Sequence, residues 1–144
     1  MDPNLTIHPG MNSEETVRVL ELHLAPRAGS GDAPVLATPW MIAFMEGISF
    51  RLLATYLPEG YSSVGVHVDV RHLAPTPVNS QVKVRCQVLE VVGMRVTFQV
   101  EAWDESEKIG TGRHERAIIE SRRFLERVVQ KRQTRPLQGS FPEE

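Results

Sequence analysis

The stretch from Thr38 to Leu53, TPWMIAFMEGISFRLL, is apolar in almost every direction around a helix. Threonine followed by proline is typical of a helix start, because the hydroxyl can cap free backbone N–H groups and proline suits the first turn. Apolar residues then recur at helical spacing, and aromatic and aliphatic side chains fill most other directions. Sixteen residues are too few to span a bilayer, so no membrane association is expected. The stretch therefore predicts a core helix.

Glu46 is the one carboxylate inside this predicted helix. An ionised carboxylate away from water is costly unless a cation or hydrogen-bond donors accompany it. Two interpretations stay open from the residues alone. Either Glu46, Gly47 and Ser49 form a narrow exposed strip, or Glu46 belongs to a functional site.

The overall composition limits the classes of function. A chain of 144 residues with 41% hydrophobic content can bury one core, which indicates a single domain. A net charge of -2 and the absence of zinc-finger and RNP motifs argue against a nucleic-acid partner. Cys86 is the only cysteine and the N-terminus lacks the features of a signal peptide, so a cytoplasmic location is expected. No metal-ligand spacing or dinucleotide fingerprint is present, and no cofactor is expected.

Alternation of apolar and polar residues predicts five strands around the helix. The predicted elements are strands at Thr16–Leu24, Ser62–Ala74, Gln81–Val92, Arg95–Trp103 and Ile109–Ile119, and a C-terminal amphipathic helix at Glu120–Gln133. Residues 1–13 are expected to be a flexible leader, 14–133 the domain and 134–144 a flexible tail. An antiparallel sheet with the long helix on one face is the economical α+β architecture, because each buries the apolar side of the other.

His72 ends the second predicted strand. Alternation from Val66 to Val70 places valines on one face, and the period of two puts His72 on that same face, toward the helix. A lone histidine on an apolar face is more often a core residue than a catalyst, so both interpretations stay open.

Three polar segments contain no motif that by itself indicates a function. His114, Glu115 and Arg116 lie in the middle of the last strand, and taken alone they indicate side chains that face solvent. Residues 25–37, with two prolines and GSGD, predict a loop that could form a flap over a site. The basic face of the C-terminal helix is expected to be solvated, with weak attraction for an anionic ligand as the alternative.

The order β-α-β-β-β-β, with a hydrophobic helix wrapped by the sheet, resembles the hot-dog fold. Four motifs resemble the fluoroacetyl-CoA thioesterase type of hot-dog thioesterase. They are Ala37-Thr38 at the helix start, Met45-Glu46 eight residues after the threonine, Gly65 seven residues before His72, and Gly112-x-His114-Glu115-Arg116-Ala117. The similarity runs from about Val35 to Ile119.

The resemblance implies an acyl-CoA substrate and a homodimer with its site at the subunit interface, and it leaves open whether dimers pair into tetramers. It implies that Thr38 is a nucleophile or positions water, and that Glu46 and His72 form an acid/base pair. It also implies that Gly65 is a backbone donor and that Arg116 orients or binds an anionic group. Thioester hydrolysis needs these functions: a base or nucleophile, oxyanion stabilisation and a proton for the thiolate.

The chain departs from the family pattern at the entrance to this site. Gly29 and Asp32 occupy the positions of the aromatic lid residues, and Pro39 replaces the glycine after the threonine. We therefore expect an open mouth above Thr38 and no strong preference for fluoroacetyl-CoA. Two other functions remain: a non-catalytic hot-dog module that binds an acyl thioester or small ligand, and a hydratase or dehydratase. The last is disfavoured because the long helix contains neither His nor Asp.

Overall fold

The computed structural model describes residues 5–134 and 141–142. The chain contains strands β1 (Asn12–Arg18), β2 (Tyr61–His72), β3 (Gln81–Val92), β4 (Arg95–Trp103) and β5 (Lys108–Glu120), and helices α1 (Ala25–Ala28), α2 (Thr38–Tyr56) and α3 (Ser121–Thr134). The strands form one sheet in the order β1-β3-β4-β5-β2, and every neighbouring pair is antiparallel. The predicted α+β architecture, a five-stranded sheet with a long helix and a short C-terminal helix, is confirmed.

The core lies between α2 and the centre of the sheet. Met41, Met45, Ile48 and Leu53 of α2 are each at most 1% exposed. They pack in one cluster with the inward residues of β3 and β4, where alternate positions are fully buried. Helix and sheet approach closely at Gly110, where a Cβ would stand only 2.5 Å from the sulfur of Met41. This packing fixes α2 against the sheet along most of its length.

Strand β2 forms one edge of the sheet and pairs with β5 along its whole length. A bulge between Gly65 and His67 inserts Val66 as an extra residue. Val68 lies opposite the buried His114, so the valine face of β2 is on the helix side, as predicted. However, Val66 and Val68 are 43% and 38% exposed, because no described part of the chain covers them. The prediction that this face is buried is therefore wrong for half of the strand.

The N-terminal region differs from the prediction. The first strand is Asn12–Arg18 rather than Thr16–Leu24, and residues 21–23 form a 3₁₀ turn. This turn forms because the His23 ring accepts the Leu20 N–H at 2.9 Å and competes with strand pairing. The predicted boundary after residue 13 falls inside β1, and Ile7 is buried in the core. The predicted tail after Thr134 lies mostly outside the described residues.

No helix within the described ranges is long and apolar enough to cross a membrane.

Candidate active site

Four of the five predicted site residues lie along the contact between α2 and β2, and the fifth, Arg116, lies beside them on β5. Thr38 contacts His72, and Glu46 lies against Gly65, so the helix and the strand run in opposite directions. Eight residues of α2 separate Thr38 from Glu46, which is about 12 Å at 1.5 Å per residue. The site residues therefore form two groups within one chain.

The first group is the pair Thr38 and His72, with 2.7 Å between the threonine Oγ1 and the histidine Nδ1. Thr38 is the first residue of α2, and Ala37 is the residue that caps the helix, without a side-chain hydrogen bond. The prediction that the Thr38 hydroxyl caps the helix is therefore wrong. Because the hydroxyl makes no capping bond, it is available to the imidazole of His72.

Burial lowers the pKa of His72, which favours the neutral imidazole at neutral pH. A neutral ring can accept the Thr38 O–H at Nδ1, and the ring proton is then on Nε2. Nε2 of His72 is buried and has no hydrogen-bond partner among the described residues. The distance between the hydroxyl and the imidazole is thus in the range expected for a nucleophile and its base. Within the described residues, Nε2 lacks the third group that usually orients such a base.

A cleft of about 400 Å³ opens above Thr38 and His72. Its walls are residues 30–33, 35–38 and 72–75 together with Ala25, and most of these side chains are small or apolar. The polar side chains on the wall are those of Ser30, Asp32, Thr38 and His72. The segment predicted to be a loop or flap, which begins with the short helix α1, therefore borders the entrance to the threonine–histidine pair.

The second group is formed by Glu46, Gly65 and Arg116. Arg116 is only 6% exposed and donates to Ser63 twice, from Nε to Oγ and from Nη2 to the carbonyl oxygen, each at 2.9 Å. Its Nη1 lies 4.0 Å from Oε2 of Glu46. A Cβ at Gly65 would stand 2.8 Å from that same oxygen, so only glycine leaves the space that the carboxylate occupies.

Two sequence-based expectations are examined by these contacts. Within the described residues of one chain, no hydrogen bond or ion pair joins Glu46 to His72, because the carboxylate faces Arg116 instead, so their acid/base pairing at a subunit interface stays a prediction. The expectation that the charged segment of β5 faces solvent fails for His114 and Arg116, which are 1% and 6% exposed. The period of two in β5 places both on the helix side with the buried Ile118, a signal that the sequence already contains.

Sequence reasoning missed Ser63 and His114. Ser63 is buried and accepts from Arg116, and His114 lies 3.1 Å from the same guanidinium. No group of three or more His, Cys, Asp or Glu side chains within residues 5–134 and 141–142 is arranged to hold a metal ion. The site chemistry of the chain therefore involves a hydroxyl, an imidazole, a carboxylate and a guanidinium.

Comparison with known proteins gives consistent matches. Residues 19–122 match the family model FlK, described as fluoroacetyl-CoA-specific thioesterase. A fluoroacetyl-CoA thioesterase from Streptantibioticus cattleyicolor is 39% identical over 97 residues, which is 67% of this chain and 70% of that protein.

Solved structures agree with this assignment. The fluoroacetyl-CoA thioesterase FlK matches with a TM-score of 0.83 at 30% identity, over 90% of this chain and 98% of that one. A Thermus thermophilus thioesterase superfamily member matches at 0.80 and 29% identity, over 92% and 98%. A hot-dog-like protein from Thermanaerovibrio acidaminovorans matches at 0.79 and 25% identity, over 85% and 91%. The hot-dog fold is thereby confirmed, and the chain belongs to the fluoroacetyl-CoA-specific thioesterase family.

Proposed function

We propose that this chain is an acyl-CoA thioesterase that hydrolyses a small or medium acyl thioester to the free acid and CoA. The observation that carries the proposal is the 2.7 Å contact between the Thr38 hydroxyl and His72 at the floor of an open cleft. A hydroxyl paired with a neutral imidazole is the arrangement that nucleophilic or base-assisted acyl transfer requires. Family membership supports the choice of a thioester as substrate.

In the proposed reaction, Nδ1 of His72 accepts the proton of the attacking oxygen. That oxygen is either Oγ1 of Thr38 or a water molecule that Thr38 positions. Attack on the thioester carbonyl gives a tetrahedral oxyanion, and its collapse breaks the carbon–sulfur bond. The imidazolium of His72 then returns the proton to the departing CoA thiolate. If Thr38 attacks, a second round with water cleaves the acyl-threonine ester and restores the hydroxyl.

The oxyanion and the base both need partners that the Thr38–His72 pair lacks within one chain. Oxyanion stabilisation requires preorganised donors, and the backbone N–H of Gly65 and the Arg116 guanidinium supply candidates. The Glu46 carboxylate is the matching candidate to orient an imidazolium. These groups are about 12 Å along α2 from Thr38, by the 1.5 Å rise per helical residue. A second copy of the chain could supply the same three groups beside Thr38 and His72.

We propose a homodimer in which two β2 edges pair antiparallel. The strand is 12 residues long, lies at the sheet edge and leaves Val66 and Val68 exposed, which is the surface that symmetric pairing would cover. The bulge at Val66 puts Gly65 on the same face as His72. A two-fold axis near Asp69 would then place Gly65 opposite His72 of the partner subunit. Each site would combine Thr38 and His72 from one protomer with Glu46, Gly65 and Arg116 from the other.

Release of free thiol from a panel of acyl-CoAs tests the activity. We expect turnover that depends on Thr38, Glu46 and His72, with Glu46→Gln and His72→Ala each lowering kcat by about 10²-fold or more, the size of an acid/base contribution. Binding of acyl-CoA without any thiol release would instead support the non-catalytic module. Sedimentation should show a dimer, and a stable monomer at micromolar concentration would contradict the proposed assembly.

Mixing two inactive variants tests the shared site. His72→Ala and Glu46→Gln chains, refolded together in equal amounts, should form heterodimers in which one site carries both substitutions and the other carries neither. Random pairing makes half of the dimers mixed, so about a quarter of the parent activity should return for a two-fold symmetric assembly. If each site lies within one protomer, no site is intact and no activity returns. Refolding each variant alone is the control.

A further inference from the structure

His114 is a buried imidazole that the proposed reaction leaves without a role. It lies in β5, is 1% exposed and stacks on Phe98 of the neighbouring strand, with ring centroids 6.4 Å apart. Its Nδ1 is 2.9 Å from the carbonyl oxygen of His67, next to the bulge in β2. Its Nε2 is 3.1 Å from Nη1 of Arg116. Nε2 therefore contacts the cation beside Glu46, and Nδ1 contacts the backbone two residues after Gly65.

These two contacts define the protonation state of the ring. A carbonyl oxygen can only accept, so Nδ1 must carry the hydrogen that His67 accepts. A guanidinium can only donate, so Nε2 must offer its lone pair to Arg116. The only ring that satisfies both is neutral imidazole with its proton on Nδ1. Burial is the largest influence and lowers the pKa of His114, as does the Arg116 cation, whereas the hydrogen bond to His67 and the Glu46 carboxylate oppose this change.

The His114 contact is the third hydrogen bond that holds Arg116 among the described residues. Ser63 accepts from Nε and from Nη2, and His114 accepts from Nη1. Nη1 has a second hydrogen, and it is this nitrogen that lies 4.0 Å from Oε2 of Glu46. Without the His114 acceptor, Nη1 would lose the one neutral partner that sets its direction. The carboxylate would then be the only described acceptor beside it.

We propose that His114 is a positioning residue for thioester hydrolysis. As neutral imidazole bonded to His67 and Arg116, it directs the Arg116 guanidinium and through it keeps the Glu46 carboxylate in its catalytic position. It touches neither substrate nor reacting atoms. The inference rests on the proposed function, because it assigns catalytic value to the position of Glu46.

Two amide substitutions separate the contacts of His114. In His114→Gln, the longer side chain can place its carbonyl oxygen near the site of Nε2 and accept from Arg116. In His114→Asn, the shorter side chain can place its N–H near the site of Nδ1 and donate to His67, but it cannot reach Arg116. We expect the Asn variant to lose at least about 10-fold in kcat with little change in KM, and the Gln variant to stay within about 3-fold, since a small misplacement of a catalytic group mainly affects kcat.

The matched control is Glu115→Gln on the opposite face of β5, where the carboxylate pairs with Arg95 at 2.7 Å. This variant should keep the parent kcat. Equal losses in the Asn and Gln variants, or a parent-like kcat in the Asn variant, would overturn the proposal.

A spectroscopic test uses the unsubstituted protein and therefore does not depend on how the variants fold. Long-range ¹H–¹⁵N correlation at neutral pH should show a protonated Nδ1 and an unprotonated Nε2 for His114. An imidazolium or the opposite tautomer would refute the arrangement. Glu46→Gln separates this inference from the proposed function. Loss of turnover in Glu46→Gln with none in His114→Asn rejects only the role of His114, whereas full turnover in Glu46→Gln rejects the proposed site itself.

Discussion

Replacing Gly65 with alanine adds one methyl group where three site residues meet. The new carbon would stand 2.8 Å from Oε2 of Glu46, 3.1 Å from Cε1 of His114 and 3.5 Å from Nη1 of Arg116. The first distance is shorter than a van der Waals contact, so the carboxylate must move. The backbone N–H of Gly65 is retained, and its φ is not in the left-handed region, so alanine adds no backbone strain. The substitution therefore tests side-chain position and not the loss of a donor.

The expected effect is large on turnover and small on stability. The closest atom is the end of a flexible side chain that is 42% exposed, so Glu46 can yield by several tenths of an ångström without unfolding the chain. A misplacement approaching 1 Å can cost about 10²-fold in rate, which is about 2.7 kcal/mol of activation free energy. We expect kcat to fall by roughly this factor while the melting temperature changes by only a few degrees. Thiol release and thermal circular dichroism measure the two quantities on one sample.

Gly47→Ala is the matched control, because Gly47 lies next to Glu46 on α2. Its Cβ would stand 3.0 Å from Nη1 of Arg51, whose exposed side chain can move away from its ion pair with Glu15. Alanine also favours the helix by roughly 0.5–1 kcal/mol over glycine, which offsets that loss. The control should keep kcat within about 3-fold, far from the 10²-fold that misplacement produces. If Gly65→Ala turns over as fast as Gly47→Ala, the position of the Glu46 carboxylate has no part in catalysis.

Three further predictions concern the other group and the cleft. Thr38→Ala should lower kcat by about 10²-fold and Thr38→Ser should stay largely active if Thr38 is the nucleophile, whereas an alanine variant that keeps most activity would show that Thr38 only positions water. Burial lowers the pKa of His72 within one chain, whereas the Glu46 carboxylate of the partner subunit would raise it in the proposed dimer. Glu46→Gln should therefore move the acid limb of kcat/KM to lower pH, and an unmoved limb would contradict the proposed pairing of Glu46 with His72. The ratio of kcat/KM for fluoroacetyl-CoA to that for acetyl-CoA should stay below about 10³, because Gly29 and Asp32 provide no aromatic cover and pocket contacts alone discriminate close analogues weakly.

The sheet and the core helix follow from periodicity alone. Strands β3 and β4 begin and end where alternation predicts, and the start of α2 at Thr38 is also as predicted. These elements have one buried face and clear turns, so local preference and tertiary packing agree. The bounds of the N-terminal strand differ from the prediction, because the His23 ring bonds to its own turn and ends the strand early. A side-chain bond of this kind has no periodic signature.

The site is predictable in composition but not in contacts. The α2–β2 contact contains Thr38, Glu46, Gly65 and His72, and Arg116 of β5 lies beside Glu46. Which of them touch depends on the position of the helix along the strand. Close packing at Gly110 and the bulge at Val66 determine this position. Spacing along the sequence cannot supply this offset. The Glu46–His72 contact is absent within one chain for that reason, and it stays a prediction for the proposed dimer.

The first turn of α2 explains how one helix can serve both the core and the chemistry. A capping hydroxyl is bonded to backbone N–H groups, whereas Thr38 lies one position after the cap and leaves its hydroxyl to His72. Seven and ten residues later the buried face of the helix continues with Met45 and Ile48, which pack the helix on the sheet. The positive end of the helix dipole also lies at Thr38, where negative charge develops when a carbonyl is attacked. In the proposed reaction, the same backbone that buries the core thus fixes the hydroxyl in position and favours an oxyanion beside it.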